Sequence, residues 1–86
     1  MNSNEIRGVK KMARAKDIEE KTLEAAQLVA YEGLTVMETA KQTDVPRATT
    51  HWRLRNILER VDPVLAKKVY TVLEAHKHGV YLRHKR

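Results

Sequence analysis

The stretch TVMETAKQTDVPRATTHWRLRN, Thr35 to Asn56, decides how the rest of the chain is read. Thr35 followed three residues later by Glu38 is the pattern of a capping box, in which each side chain satisfies the other residue's backbone amide at a helix start. A short helix over 36–43 follows, with Val36, Met37 and Ala40 on one face. Only Gln42, Thr43, Asp44 and Val45 then precede Pro46, whose missing N–H suits the first position of another helix. So few residues leave room for a tight turn alone, and helix, tight turn and helix make a helix-turn-helix. Ala40 is small where the two helices would touch. Asp44 stands at the turn position that tends to need positive φ, which aspartate tolerates better than most residues though less well than glycine.

From Pro46 onward, Thr50, Leu54, Ile57, Leu58 and Val61 fall on one stripe, which predicts a single helix over 46–61 with that stripe turned inward. At about 100° per residue, Ala48, Trp52, Arg55, Asn56 and Glu59 then point outward. Thr49 and His51 lie at the flanks, and Arg47 is in the first turn. Such a face suits the major groove of DNA, which receives the N-terminal part of a recognition helix. Arg47 or Arg55 can grip guanine through two parallel hydrogen bonds, His51 or Asn56 can meet a base edge or a phosphate, and Ala48 fits a thymine methyl. Trp52, the one tryptophan, has two readings. It meets DNA by stacking on sugar or pressing a thymine methyl, or it is covered by the chain's own termini, as most tryptophans are largely buried.

Upstream, Asp17 with Glu20 reads as an N-cap and its partner, and Ile18, Thr22, Ala25, Ala26 and Val29 recur at helical spacing over a helix 18–32 that Gly33 ends. Downstream, Asp62 caps and Pro63 begins a helix over 63–78 that buries Leu65, Ala66, Val69, Val72 and Leu73. His76, Lys77 and His78 complement its C-terminal dipole before Gly79 closes it. No segment alternates as a half-buried strand does. The expected fold is all-α: a small four-helix domain over 17–79 containing the helix-turn-helix, between a flexible basic arm over 1–16 and a basic tail over 80–86.

Charge follows the same division. The net charge of the 86 residues is +6, with five cations against one acid over 1–16 and seven acids against two cations over 17–46. Four arginines face one acid over 47–60, and 76–86 holds four cations and three histidines. Basic segments set around an acidic one point to a shared polyanionic partner. Lys10, Lys11 and Arg14 of the arm, and Arg83, Lys85 and Arg86 of the tail, are the candidate phosphate ligands, and Thr35 adds one at the start of the second helix.

Other classes fare poorly. Without cysteine there is neither a disulfide nor a thiolate metal site, and no carboxylates complete a ligand set around the four histidines, so no metal or cofactor is expected. No nucleophile, base and orienting acid recur at a workable spacing and no Gly-rich phosphate loop occurs, which argues against an enzyme. No apolar run approaches the roughly 18 residues of a membrane span, so a cytoplasmic protein is expected.

The pattern resembles a known family. From about Glu20 through Arg83 the chain is similar, without a gap, to the sporulation stage III protein D family of bacterial transcriptional regulators. Thr35-Val36, Ala40-Lys41, Thr49-Thr50-His51, Leu54, Pro63 with Leu65-Ala66, Val69, His76-Lys77 and Leu82-Arg83 carry the likeness. It implies sequence-specific binding to double-stranded DNA, activating some promoters and repressing others, through the helix-turn-helix and a basic C-terminal segment. On this chain those elements are the Arg47 to Arg55 face and the tail around His84, Lys85 and Arg86. The resemblance further implies binding as a monomer; regulation by steric blocking or by contact with RNA polymerase makes the polymerase a candidate second partner. Asp44 departs from the family's turn glycine, Thr50 from its usual aliphatic residue and Trp52 from its usual lysine. Thr50 is nearly isosteric with valine and can return its hydroxyl to the carbonyl one turn back. The alternative reading is a protein-interaction adaptor in which the helix-turn-helix is a scaffold and Trp52 anchors a partner protein.

Overall fold

Ala25, Ala26, Val29 and Ala30 give the first helix a face of small side chains, and a second helix can lie close against it. In the computed structural model, which describes residues 15–85, that face belongs to α1 (Ala15–Glu32) and packs chiefly on α5 (Pro63–Lys77). From α5 come Leu65, Ala66, Val69 and Val72, all buried. Leu54 of α3 (Arg47–Asn56) and Leu58 of α4 (Leu58–Val61) complete the core, while α2 (Val36–Thr43) packs against α1 and α3. The described residues contain no strand, so the domain is all-α.

Three polar side chains enter this interior at no hydrogen-bonding loss. Thr22, Thr39 and Thr50 are all buried, and each turns its hydroxyl to the carbonyl four residues back: Ile18 at 2.7 Å, Thr35 at 2.8 Å and Pro46 at 3.1 Å. The donor is satisfied locally, and the methyl packs as valine would.

Helix ends follow the capping chemistry of the sequence, with two exceptions. The Thr35 hydroxyl accepts from the Glu38 amide at 3.1 Å and the Glu38 carboxylate accepts from the Thr35 amide at 2.9 Å, closing the capping box. Asp62 accepts from the Leu65 amide at 3.1 Å with Pro63 at the start of α5. Gly79, at φ 76°, ends that helix, its amide donating to His76 and the Val80 amide to Ala75. The exceptions are at N-termini. α1 begins at Ala15, so Lys16 lies within the helix and Asp17 sits in its first turn instead of capping it. Alanine and lysine are good helix formers, and an acid there still favours the dipole. Pro46 is the N-cap of α3, with ψ 144°, and Arg47 is the first helical residue.

Two larger departures concern the helix-turn-helix. The helix predicted over 46–61 is in two pieces. Ile57 stays in the helical region at φ −91° and ψ −41°, yet the helix stops at Asn56 and a new one begins at Leu58. At that point the Tyr70 hydroxyl of α5 lies 3.5 Å from the Leu54 carbonyl and 3.4 Å from that of Arg55, one O–H shared between two distant acceptors. A side chain entering the ladder is a recognised cause of such a break. Val61, expected inward, is half-buried in the displaced turn. On α2, Met37 is 48% exposed, and Thr39 takes the buried place beside Ala40.

Candidate nucleic-acid interface

The turn between α2 and α3 fixes the angle at which α3 leaves the body. Asp44 adopts φ 57° and ψ 44°, the only residue other than glycine with positive φ among those described. Its amide donates to Lys41 at 3.4 Å and the Val45 amide donates to Ala40 at 3.1 Å, a closed C-terminal motif with aspartate in the place usually held by glycine.

With Thr50 and Leu54 held inward, the opposite side of α3 is open. Arg47, Ala48, His51, Trp52, Arg55 and Asn56 line one shallow cleft, and Val36 at the start of α2 forms its far wall. Arg47 and Arg55, eight residues apart, stand about 12 Å from each other along the helix. Trp52 lies between them and is 56% exposed. Arg47, Arg53 and Arg55 make no ion pair among the described residues. The side chain of Asn56 donates to the Trp52 carbonyl at 3.0 Å, so its amide nitrogen is engaged within the helix. Thr49 is half-buried and off the cleft, apart from the other candidate base-reading residues.

His51 and Arg55 also border a second hollow between α3 and α5, with Glu59, Tyr70, Leu73, Glu74 and Lys77. Here charges are mixed. Glu74 lies 3.7 Å from Lys77 and 3.4 Å from His78, on an exposed surface where such pairs add little.

At the start of α2 the Thr35 oxygen already accepts from the Glu38 amide, yet its hydroxyl hydrogen can still be donated outward. Glu38 places a carboxylate beside the same helix end, which opposes an incoming anion there.

The segment 80–85 is fastened to the body. The His84 amide donates to the Ala30 carbonyl at 2.7 Å, Leu82 packs on the core, and the Tyr81 ring lies 4.9 Å from that of His76. Gly33 ends α1 beside this crossing, where a Cβ would touch the Leu82 carbonyl oxygen and Arg83 Cβ at an ordinary 3.4 Å, so its φ of 72° is what favours glycine. Gly33 is two residues from Thr35, so the crossing point lies close along the chain to the start of α2. Arg83 and Lys85 are exposed and, with Tyr31 and His84, line a small hollow of about 380 Å³. Lys10, Lys11, Arg14 and Arg86 lie outside the described residues.

Sequence reasoning missed Val36 as a wall of the cleft and Tyr70 as the partner of the helix break. Val36 was readable in part, since it directly follows the Thr35 cap and so sits at the exposed lip of its helix. Tyr70 was not, because its partners are 15 and 16 residues away on another element.

Among the described residues no helix is long and apolar enough to cross a membrane, and no group of three or more histidines, cysteines or acids gathers as a metal site. A family model described as stage III sporulation protein D matches residues 15–86. No curated protein and no solved structure matches the chain.

Proposed function

Because the chain belongs to the stage III sporulation protein D family, a family of DNA-binding regulators of sporulation, we propose that it reads double-stranded DNA by sequence, with α3 in the major groove. The cleft carries this reading: Arg47, His51 and Arg55 stand on the open side of the second helix of a helix-turn-helix, and among the described residues neither arginine is paired with an acid. Arg47 and Arg55 supply bidentate donors for guanine, His51 a single donor or acceptor, and Ala48 and Trp52 an apolar surface. Thr49, at the flank, joins them in reading bases.

Thr35, Arg83 and Lys85 then serve the phosphates, together with Lys10, Lys11, Arg14 and Arg86. Phosphate contacts set register and affinity without carrying sequence. Regulation follows from occupying a promoter or from touching RNA polymerase there, and the protein acts as a monomer whose tail lengthens the footprint.

A salt titration of binding to duplex DNA tests the reading. Affinity for random duplex falls steeply as salt rises, and replacing Lys85 and Arg86 by glutamine weakens all sequences alike and flattens the slope. Absence of duplex binding at low salt overturns it in favour of the adaptor, for which the exposed Trp52 is the anchor. Sites selected from a random duplex pool report stoichiometry, an asymmetric site indicating a monomer.

A further inference from the structure

Trp52 is the outlier of the cleft. Two other apolar side chains line the cleft with it, Val36 at the start of α2 and Ala48 one turn earlier on α3, so the cleft has three apolar residues in its wall. Around them stand Arg47, His51 and Arg55. The 80–85 segment does not cover this patch, being fastened against Ala30 and Gly33.

An apolar patch flanked by two arginines fits an apolar group set among anions. Duplex DNA offers one such group in its major groove, the 5-methyl of thymine, which lies between phosphate rows and beside the hydrogen-bonding edges that arginine reads. We infer that Trp52, Ala48 and Val36 form a slot for a pyrimidine 5-methyl group, making Trp52 a specificity-determining residue that selects thymine next to the guanine held by Arg47 or Arg55. This rests on the major-groove reading proposed above and adds the chemical group being recognised.

Burying one methyl group is worth about 0.8 kcal/mol, or about fourfold in affinity. The probe is a duplex selected from a random pool by the full chain, compared with versions in which single thymines are replaced by deoxyuridine. Uridine keeps every hydrogen-bonding group and removes only the methyl. Affinity falls about fourfold at one or two thymines and stays unchanged at the others. The variant Trp52→Ala retains its helical circular dichroism, binds the thymine duplex more weakly and no longer distinguishes thymine from uridine at those positions.

Equal binding of thymine and uridine duplexes by the unaltered protein overturns the slot while leaving the major-groove reading intact. So does a thymine preference that survives in Trp52→Ala, since another group then reads the methyl. Unchanged DNA binding by Trp52→Ala, with loss of an acidic protein partner instead, also overturns it. If the unaltered protein binds no duplex at low salt, the major-groove reading itself fails.

Discussion

The Tyr70 hydroxyl lies 3.4 Å from the Arg55 carbonyl, joining the end of the candidate reading helix to the middle of α5. The contact is long for an O–H···O bond, and its companion to Leu54 is longer at 3.5 Å, so neither is strong. Their importance is their place, at the join where α3 ends and α4 begins. Replacing Tyr70 by phenylalanine keeps the ring and removes the donor. It is expected to cost about 0.5–1.5 kcal/mol in chemical denaturation. It should also narrow the affinity ratio between a selected duplex and a random one, because Arg55 is then less firmly placed.

Thr50 offers the opposite case. Its hydroxyl is a second donor to a Pro46 carbonyl that already accepts the Thr50 amide at 2.9 Å, so removing it orphans nothing. Thr50→Val is expected to fall within about 1 kcal/mol of the parent and on the stabilising side, by denaturant titration. Thr50→Ala, which leaves a gap against Leu54 and its neighbours, is expected to cost about 1–2 kcal/mol.

Asp44 holds a conformation that costs an L-residue about 1–2 kcal/mol, less for aspartate than for bulkier side chains. Glycine there removes the strain and gives some of it back through a freer unfolded chain. Asp44→Gly is expected to stabilise by about 0.5–1 kcal/mol, a rise in melting temperature of about 2–8 °C for a domain of this size. A thermal melt checks it. Asp44→Val should melt lower than the parent.

Glu38 has two roles that substitution separates. Glutamine can maintain the capping box while removing the carboxylate beside the Thr35 end of α2. Glu38→Gln is therefore expected to keep stability and to tighten duplex binding about twofold to fivefold at low ionic strength, the gain fading as salt rises. Glu38→Ala gains the same charge effect but should lose about 1 kcal/mol of stability with the cap. Parallel melts and binding titrations distinguish the two.

Much of this was legible locally. Thr35 with Glu38, Asp62 with Pro63, and Gly79 each act within a few residues of the chain, and capping chemistry is written in such short spans. The outward face of α3 followed from the stripe through Thr50, Leu54 and Leu58. Three features escaped for one shared reason, that their partners are distant or polar. Tyr70 meets the break at Ile57 from another helix, 80–85 docks through the Ala30 carbonyl, and the burial of Thr39 instead of Met37 rests on a hydroxyl that satisfies itself. Hydropathy alone ranks methionine the more inward of that pair.

The fastening of 80–85 gives the proposed DNA reader a fixed spacing rule. Arg83 and Lys85 ride on a segment pinned at Ala30, while Arg47 and Arg55 ride on a helix pinned by the same core. The His84–Ala30 bond and the packed Leu82 make their separation closer to that of a ruler than of a swinging tether. Inserting a single base pair between the bases read and the flanking phosphates rotates the two by about a tenth of a helical turn, and a ruler, unlike a tether, has no slack to follow it.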